Sequence, residues 1–294
     1  MTNRPANDRH ANLVGSVWMI TAMALFAIED AFLKAASQTL SVGQVLFLFG
    51  LGGALVFALV LRAKGEPLFV PDVVSRPMQI RAVFEITGRL FYVLAIAFTP
   101  LSSATVILQA TPLVVVAGAA LIFGERVGWR RWTAIFLGLL GVVIIIQPGA
   151  DSFSALSILA IIGMVGFAGR DLASRAAPAT LSTPMLGLYG FLAIIIAGVL
   201  YAPFEAKPFI VPSGSALTFM AGAVLAGAAA YAFLMKAMRT GDVSAVTPFR
   251  YTRLLFGIGL GVALFGETIN LAMIIGGGLI VLSGLFIVWR ARPR

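Results

Sequence analysis

The chain has 294 residues, 60% of them hydrophobic and 11% charged, with a mean hydropathy of +1.00; a soluble domain carries roughly a quarter charged residues, so most of this chain is expected to be solvated by lipid. The net charge of +9 would suggest nucleic acid in a soluble protein, but here Lys and Arg held on cytoplasmic loops account for it, and no nucleic-acid partner is expected. Cysteine is absent and the single histidine, His10, lies in a polar N-terminal stretch, so disulfides, thiolate chemistry, a metal site and a cofactor are not expected.

Residues 1–11 read as a polar cytoplasmic tail. The first apolar run, about 12–35, is long enough to span and lacks a persuasive cleavage site, so no cleaved signal peptide is expected. It carries Glu29, Asp30 and Lys34 near its far end. Span 2 covers about 42–62, and the connection after it holds Pro67, Pro71 and Pro77, which exclude a span. Span 3, about 78–98, contains Glu85 and Arg89. Span 4, about 103–123, carries Gln109 and Pro112, and span 5, about 131–147, ends at Pro148-Gly149. Span 6, about 154–174, ends with Arg170 and Asp171; span 7 is about 183–203 and span 8 about 215–236. Span 9, about 243–265, contains Arg250 and Arg253, and span 10 covers about 270–289 before a basic tail, 290–294. A segment in lipid must satisfy its own backbone hydrogen bonds, so each span is expected to be a helix. With both termini in the cytoplasm, fifteen Lys and Arg, Arg81 among them, fall on inside segments and only Lys34 and Lys207 outside, which fixes the expected orientation.

The second half repeats the first. Phe26–Ala36, FAIEDAFLKAA, matches Phe167–Ala177, FAGRDLASRAA, at five of eleven positions, with Asp30 over Asp171. Gln109–Glu125, QATPLVVVAGAALIFGE, matches Tyr251–Glu267, YTRLLFGIGLGVALFGE, at four of seventeen, and both end in Phe-Gly-Glu. Five helices used twice must insert with opposite orientation. The expected fold is an all-α integral membrane protein of ten transmembrane helices in two inverted-topology five-helix repeats, 12–149 and 150–289. Two halves so related can exchange conformations, which is the basis of alternating access around a substrate near the midplane.

This arrangement, with FGERVGW (123–129), FGE (265–267) and TPL (111–113), resembles the drug/metabolite transporter superfamily and its ten-helix EamA-type exporters. The resemblance implies secondary or facilitative export of amino acids, aromatic ones included, or related small metabolites across a bacterial inner membrane. In the second copy Leu254 stands where Pro112 stands in the first.

Ionisable side chains within spans need partners or a water-filled cavity and mark candidate sites. Glu85 and Arg89 lie four apart on one helix face and read either as a structural pair or as a substrate clamp, Arg89 for a carboxylate and Glu85 for an ammonium. Tyr92 follows on that face, and Tyr231 is the repeat mate of Arg89. Arg253 is expected to face the cavity, and Gln109 completes the substrate-binding set. Asp30 and Asp171 are expected to serve as gates, each paired with a basic residue when its side is closed. The expected partners are a small-molecule substrate and membrane lipid, with proton coupling left open and no obligate protein partner. A proton-coupled multidrug efflux transporter is the alternative. A channel and an intramembrane enzyme are further rivals, the second disfavoured because His is confined to the tail and Cys is absent.

Overall fold

A computed structural model describes residues 4–98, 107–146, 156–265 and 271–290. Among these the chain is helical, without strands, in ten long helices: α1 (Arg4–Ser37), α2 (Val42–Ala63), α3 (Arg76–Phe98), α4 (Thr111–Phe123), α5 (Trp129–Ile146), α6 (Ser157–Ala176), α7 (Thr183–Tyr201), α8 (Gly214–Arg239), α9 (Thr252–Phe265) and α10 (Leu271–Arg290). Four segments are long and apolar enough in themselves to cross a bilayer: His10–Ser37, Val42–Ala63, Thr183–Phe204 and Gly214–Arg239.

The helix ends follow local chemistry. Ser41, Ser182 and Ser213 each cap a helix, accepting from the backbone N–H of Gln44, Met185 and Ala216 respectively. Gly124 of the first Phe-Gly-Glu sits at φ +64 and closes α4 by donating to the Ala119 carbonyl; a left-handed residue there favours glycine. The polar stretch before residue 12 is continuous in backbone with α1, which runs from Arg4 with Pro5 tolerated in the first turn. One expectation needs correction. The ninth span is not one helix: a single turn, Val243–Val246, passes into a 3-10 segment, Thr247–Tyr251, and then into α9. Pro248 lies near the start of that segment and has no N–H to donate. The fourth span is interrupted at the equivalent place, a turn at Gln109-Ala110 before α4, so both halves carry a Thr-Pro step beside a break.

The most extensive helix packings all join one of the first five helices to one of the last five. Helix α3 lies along α6 and α1 along α8, α2 along α7 and α5 along α10. Lesser packings are α1 on α9 with α4 on α6, and α3 on α7 with α2 on α8. Exchanging α1 for α6, α2 for α7, α3 for α8, α4 for α9 and α5 for α10 maps this set onto itself. The internal sequence repeat is therefore also a repeat in packing, and the halves interlock. The α3–α6 crossing is close because a Cβ added at Gly166 would fall 2.4 Å from Gly88 Cα, the small-residue contact that lets membrane helices approach. Phe49, Phe57, Phe191 and Tyr231 fill the space between α2, α7 and α8, with ring centroids 5.1–6.4 Å apart. On the opposite face of α2, Leu51, Leu55 and Leu59 form an exposed apolar stripe, as a helix facing lipid requires.

Carboxylates tie the two halves at their ends. Glu125 accepts from the backbone N–H of Val243 at 3.0 Å and of Ser244 at 3.2 Å. Beside it Asp242 pairs with Arg131 at 2.7 Å, while its backbone N–H donates to Asn12 Oδ1 at 2.7 Å. Elsewhere, Glu205 accepts from Val42 and Gly43 at the start of α2, at 2.8 and 2.9 Å. Glu125 and Glu205 each occupy otherwise unpaired N–H groups at a helix start of the opposite half.

Candidate functional site: a buried charge network at the seam

Among the described residues, nine charged side chains meet where the two halves interlock. Glu85 on α3 is fully buried. It accepts from Arg170 Nη1 on α6 at 3.3 Å and from the Tyr231 hydroxyl on α8, and lies 3.7 Å from Arg81 Nη2, one turn earlier on α3. Arg81 also donates to Ser174 Oγ at 2.9 Å, to the Leu186 carbonyl at 2.8 Å and to the Tyr231 hydroxyl oxygen. Arg170 continues the chain to Asp171, with Nε 2.8 Å and Nη2 2.7 Å from the same oxygen. The other oxygen of Asp171 accepts from Arg250 in the 3-10 segment. The result is an alternating series, Arg81, Glu85, Arg170, Asp171, Arg250, with both carboxylates fully engaged. Such satisfaction is what a buried ion network needs to offset desolvation.

Two further pairs lie nearby. Arg253 on α9 forks onto Asp30 on α1, with Nε at 3.0 Å and Nη2 bound to the same oxygen. Arg89 on α3 meets Glu29 on α1 through one contact of 3.3 Å. Its guanidinium lies over the Phe49 ring at 5.3 Å and the Phe167 ring at 6.0 Å, a stacking for which arginine is suited. Tyr92 is buried and meets Phe167 edge to face, with centroids 5.6 Å apart. Glu29 Oε2 and Arg89 Nε are buried without a partner.

The structure thus groups Glu85, Arg89, Tyr92, Tyr231, Arg253, Asp30 and Asp171 at one seam. Gln109 is buried at the break before α4 and, among the described residues, is not a partner of the buried charges. The intrahelical partner of Glu85 is Arg81 rather than Arg89. Arg81 is not a loop residue but one of the most buried large side chains, which reduces the charges expected on inside segments from fifteen to fourteen. The two aspartates are both paired in this one conformation, through arginines three residues apart. The Asp30 side chain is 41% exposed and the Asp171 side chain fully buried. In the sequence Glu29, Arg170 and Arg250 stand among the ionisable candidates within spans without an assigned role, whereas Arg81 is counted with the inside charges. A signal existed for Arg81, since it lies four before Glu85.

Two cavities open away from these charges. One of about 440 Å³ lies between α2, α7 and α8 near Lys64 and Lys236. The other, of about 830 Å³, is a largely apolar groove bordered by Phe84, Leu121, Trp132 and Phe136. Among the described residues no group of His, Cys, Asp and Glu is arranged to hold a metal ion.

Comparison with known proteins agrees with this architecture. The S-adenosylmethionine uptake transporter of Rickettsia prowazekii (strain Madrid E) is 25% identical over 281 residues, 94% of this chain and 93% of that protein. The pseudopaline exporter CntI of Pseudomonas aeruginosa is 29% identical over 277 residues, 92% of this chain and 94% of that one. A riboflavin transporter of Vibrio cholerae is 28% identical over 308 aligned residues, 97% of this chain and 96% of the other. A solved crystal structure, 19% identical, shares the fold with a TM-score of 0.80 over 95% of this chain and 97% of its own. The EamA-like transporter family model matches twice, over residues 13–147 and 155–289. With both halves of the chain matched, the protein belongs to the EamA-like transporter family, a family of multi-pass membrane transporters.

Proposed function

We propose that the protein exports amino acids, aromatic ones included, or closely related small metabolites across a bacterial inner membrane by alternating access. In this reading ten spans form two inverted halves, 12–149 and 150–289, with both termini in the cytoplasm. The observation that carries the substrate class is the charge balance at the seam. Arg81, Arg89, Arg170, Arg250 and Arg253 face Glu29, Asp30, Glu85 and Asp171, leaving one positive charge in excess. A surplus guanidinium suits a solute bearing a carboxylate and opposes a cationic drug. The breaks in the fourth helix of each half support the same location, because discontinuous helices are where transporters hold their cargo. The names of the relatives, which cover S-adenosylmethionine, pseudopaline and riboflavin, narrow the cargo to small molecules only.

The halves interlock through α1 with α8 and α3 with α6. Rocking one half against the other moves these pairs as equivalent units, so the outward-open and inward-open states mirror each other. Asp30 with Arg253 and Asp171 with Arg250 act as the two gates. Closing a gate forms its pair, and the conformation described here has both closed. The test is uptake of radiolabelled amino acids by the purified protein in liposomes, with and without a pH gradient. Saturable uptake of at least one amino acid is expected. Uptake of a lipophilic cation with no amino acid moving would overturn the reading.

A further inference from the structure

Resting on the reading of an amino-acid transporter, we infer that Glu29 and Arg89 are the receptor for the two charged ends of an α-amino acid, which binds by ion-pair exchange. The substrate carboxylate takes the place of Glu29 on Arg89, and the substrate ammonium takes the place of Arg89 on Glu29. No bond other than hydrogen bonds forms or breaks, and charge is conserved at each stage.

The argument begins with unused hydrogen-bonding capacity. Among the described side chains four buried polar atoms have no partner: Glu29 Oε2, Arg89 Nε and the hydroxyls of Ser75 and Thr247. Two of the four belong to one ion pair, and that pair is held by a single 3.3 Å contact. Its neighbours differ. Asp171 is bound on both oxygens by Arg170 and Arg250, Glu85 by Arg170 and Tyr231, and Arg253 forks onto Asp30. A buried polar atom without a partner costs stability. Glu29 and Arg89 are 1% and 7% exposed. An arriving ammonium and carboxylate would satisfy both orphaned atoms at once.

The surroundings fit the same class of ligand. Phe49 and Phe167 flank the guanidinium, leaving its edge as the polar approach, and a carboxylate binds a guanidinium edge in the plane. Their rings, with Tyr92 edge-on to Phe167, offer an apolar wall to the substrate side chain, where aromatic pairs gain beyond simple burial. Glu29 and Arg89 touch directly when empty, so a small separation admits an α-amino acid, whose two charged groups sit on one carbon. An ω-amino acid with its charges several carbons apart needs a wider gap. The exchange also explains how the empty carrier returns. With substrate gone, the two side chains neutralise each other, so neither is left as a lone buried charge.

The experiment uses purified full-length protein and three probes: L-phenylalanine, its decarboxylated amine and its deaminated acid. Binding is measured on protein eluting as a single symmetric peak. Wild type is expected to bind L-phenylalanine about ten- to a hundredfold more tightly than either truncated probe, the worth of one hydrogen bond to a charged group. In Glu29→Gln the advantage over the deaminated acid should vanish while the advantage over the amine persists; Glu29→Asp should restore part of it. The double variant E29Q/R89Q leaves no unpaired charge and should fold yet discriminate among none of the three. If wild type binds L-phenylalanine and Glu29→Gln keeps its full preference for it over the deaminated acid, the clamp is wrong while the transport reading stands. If wild type binds and transports no α-amino acid in a panel of twenty, the transport reading itself falls, and the clamp with it.

Discussion

The charge network makes a ranked prediction about stability. Glu85 is fully buried, and two arginines and a tyrosine hydroxyl are aimed at it. Glu85→Gln removes the charge and keeps the shape, leaving the buried Arg81 and Arg170 short of an anion. Breaking a buried pair in this way costs about 3–5 kcal/mol, and at the size of this chain that corresponds to a fall in Tm of roughly 6–20 °C. Asp30→Asn breaks a pair of nearly ideal geometry, but its two side chains are 41% and 23% exposed. Solvent screening then reduces the loss to about 0–1 kcal/mol, a few degrees at most. The assay is thermal denaturation of purified protein followed by fluorescence-detected size exclusion. An Asp30→Asn variant as unstable as Glu85→Gln, or a Glu85→Gln variant with wild-type Tm, would refute the idea that the interior series holds the halves together.

Other outcomes follow from single contacts. Gly166→Leu should abolish accumulation of folded protein, read as the monodisperse peak after membrane extraction, because even its Cβ would fall 2.4 Å from Gly88 Cα. Glu125→Gln should cost no more than about 3 kcal/mol of stability, read as a fall in Tm, since one of the two oxygens that accept from the Val243 and Ser244 N–H groups becomes an NH2 donor. Cysteines introduced beside Asp30 and beside Asp171 should respond to substrate with opposite changes in labelling by a membrane-impermeant thiol reagent; parallel changes would remove both from a gating role.

Much of the helical framework was legible in the sequence because its signals are local. Apolar runs and the Phe-Gly-Glu stop at Gly124 set boundaries without reference to distant residues. The repeat was legible through Asp30 and Asp171, which kept their register. The site was read less well because its pairings are not local. Glu29 and Arg89 lie 60 residues apart, and Asp171 and Arg250 lie 79 apart. Arg81 looked like a loop charge near a helix start, yet α3 begins at Arg76 and carries it inward to Ser174 and Tyr231. The break in the ninth span was missed because an alignment without gaps from Phe-Gly-Glu put Leu254 opposite Pro112. Pro248, six residues earlier, has the structural role in the second half.

Counterflow across liposomes tests the central claim most directly. Vesicles loaded with unlabelled amino acid are diluted into tracer. A carrier whose two halves exchange around one buried site must take up tracer faster and transiently above equilibrium, in a saturable way. Tracer entry that rises linearly with concentration and is indifferent to the loaded amino acid would contradict alternating access and point to a channel.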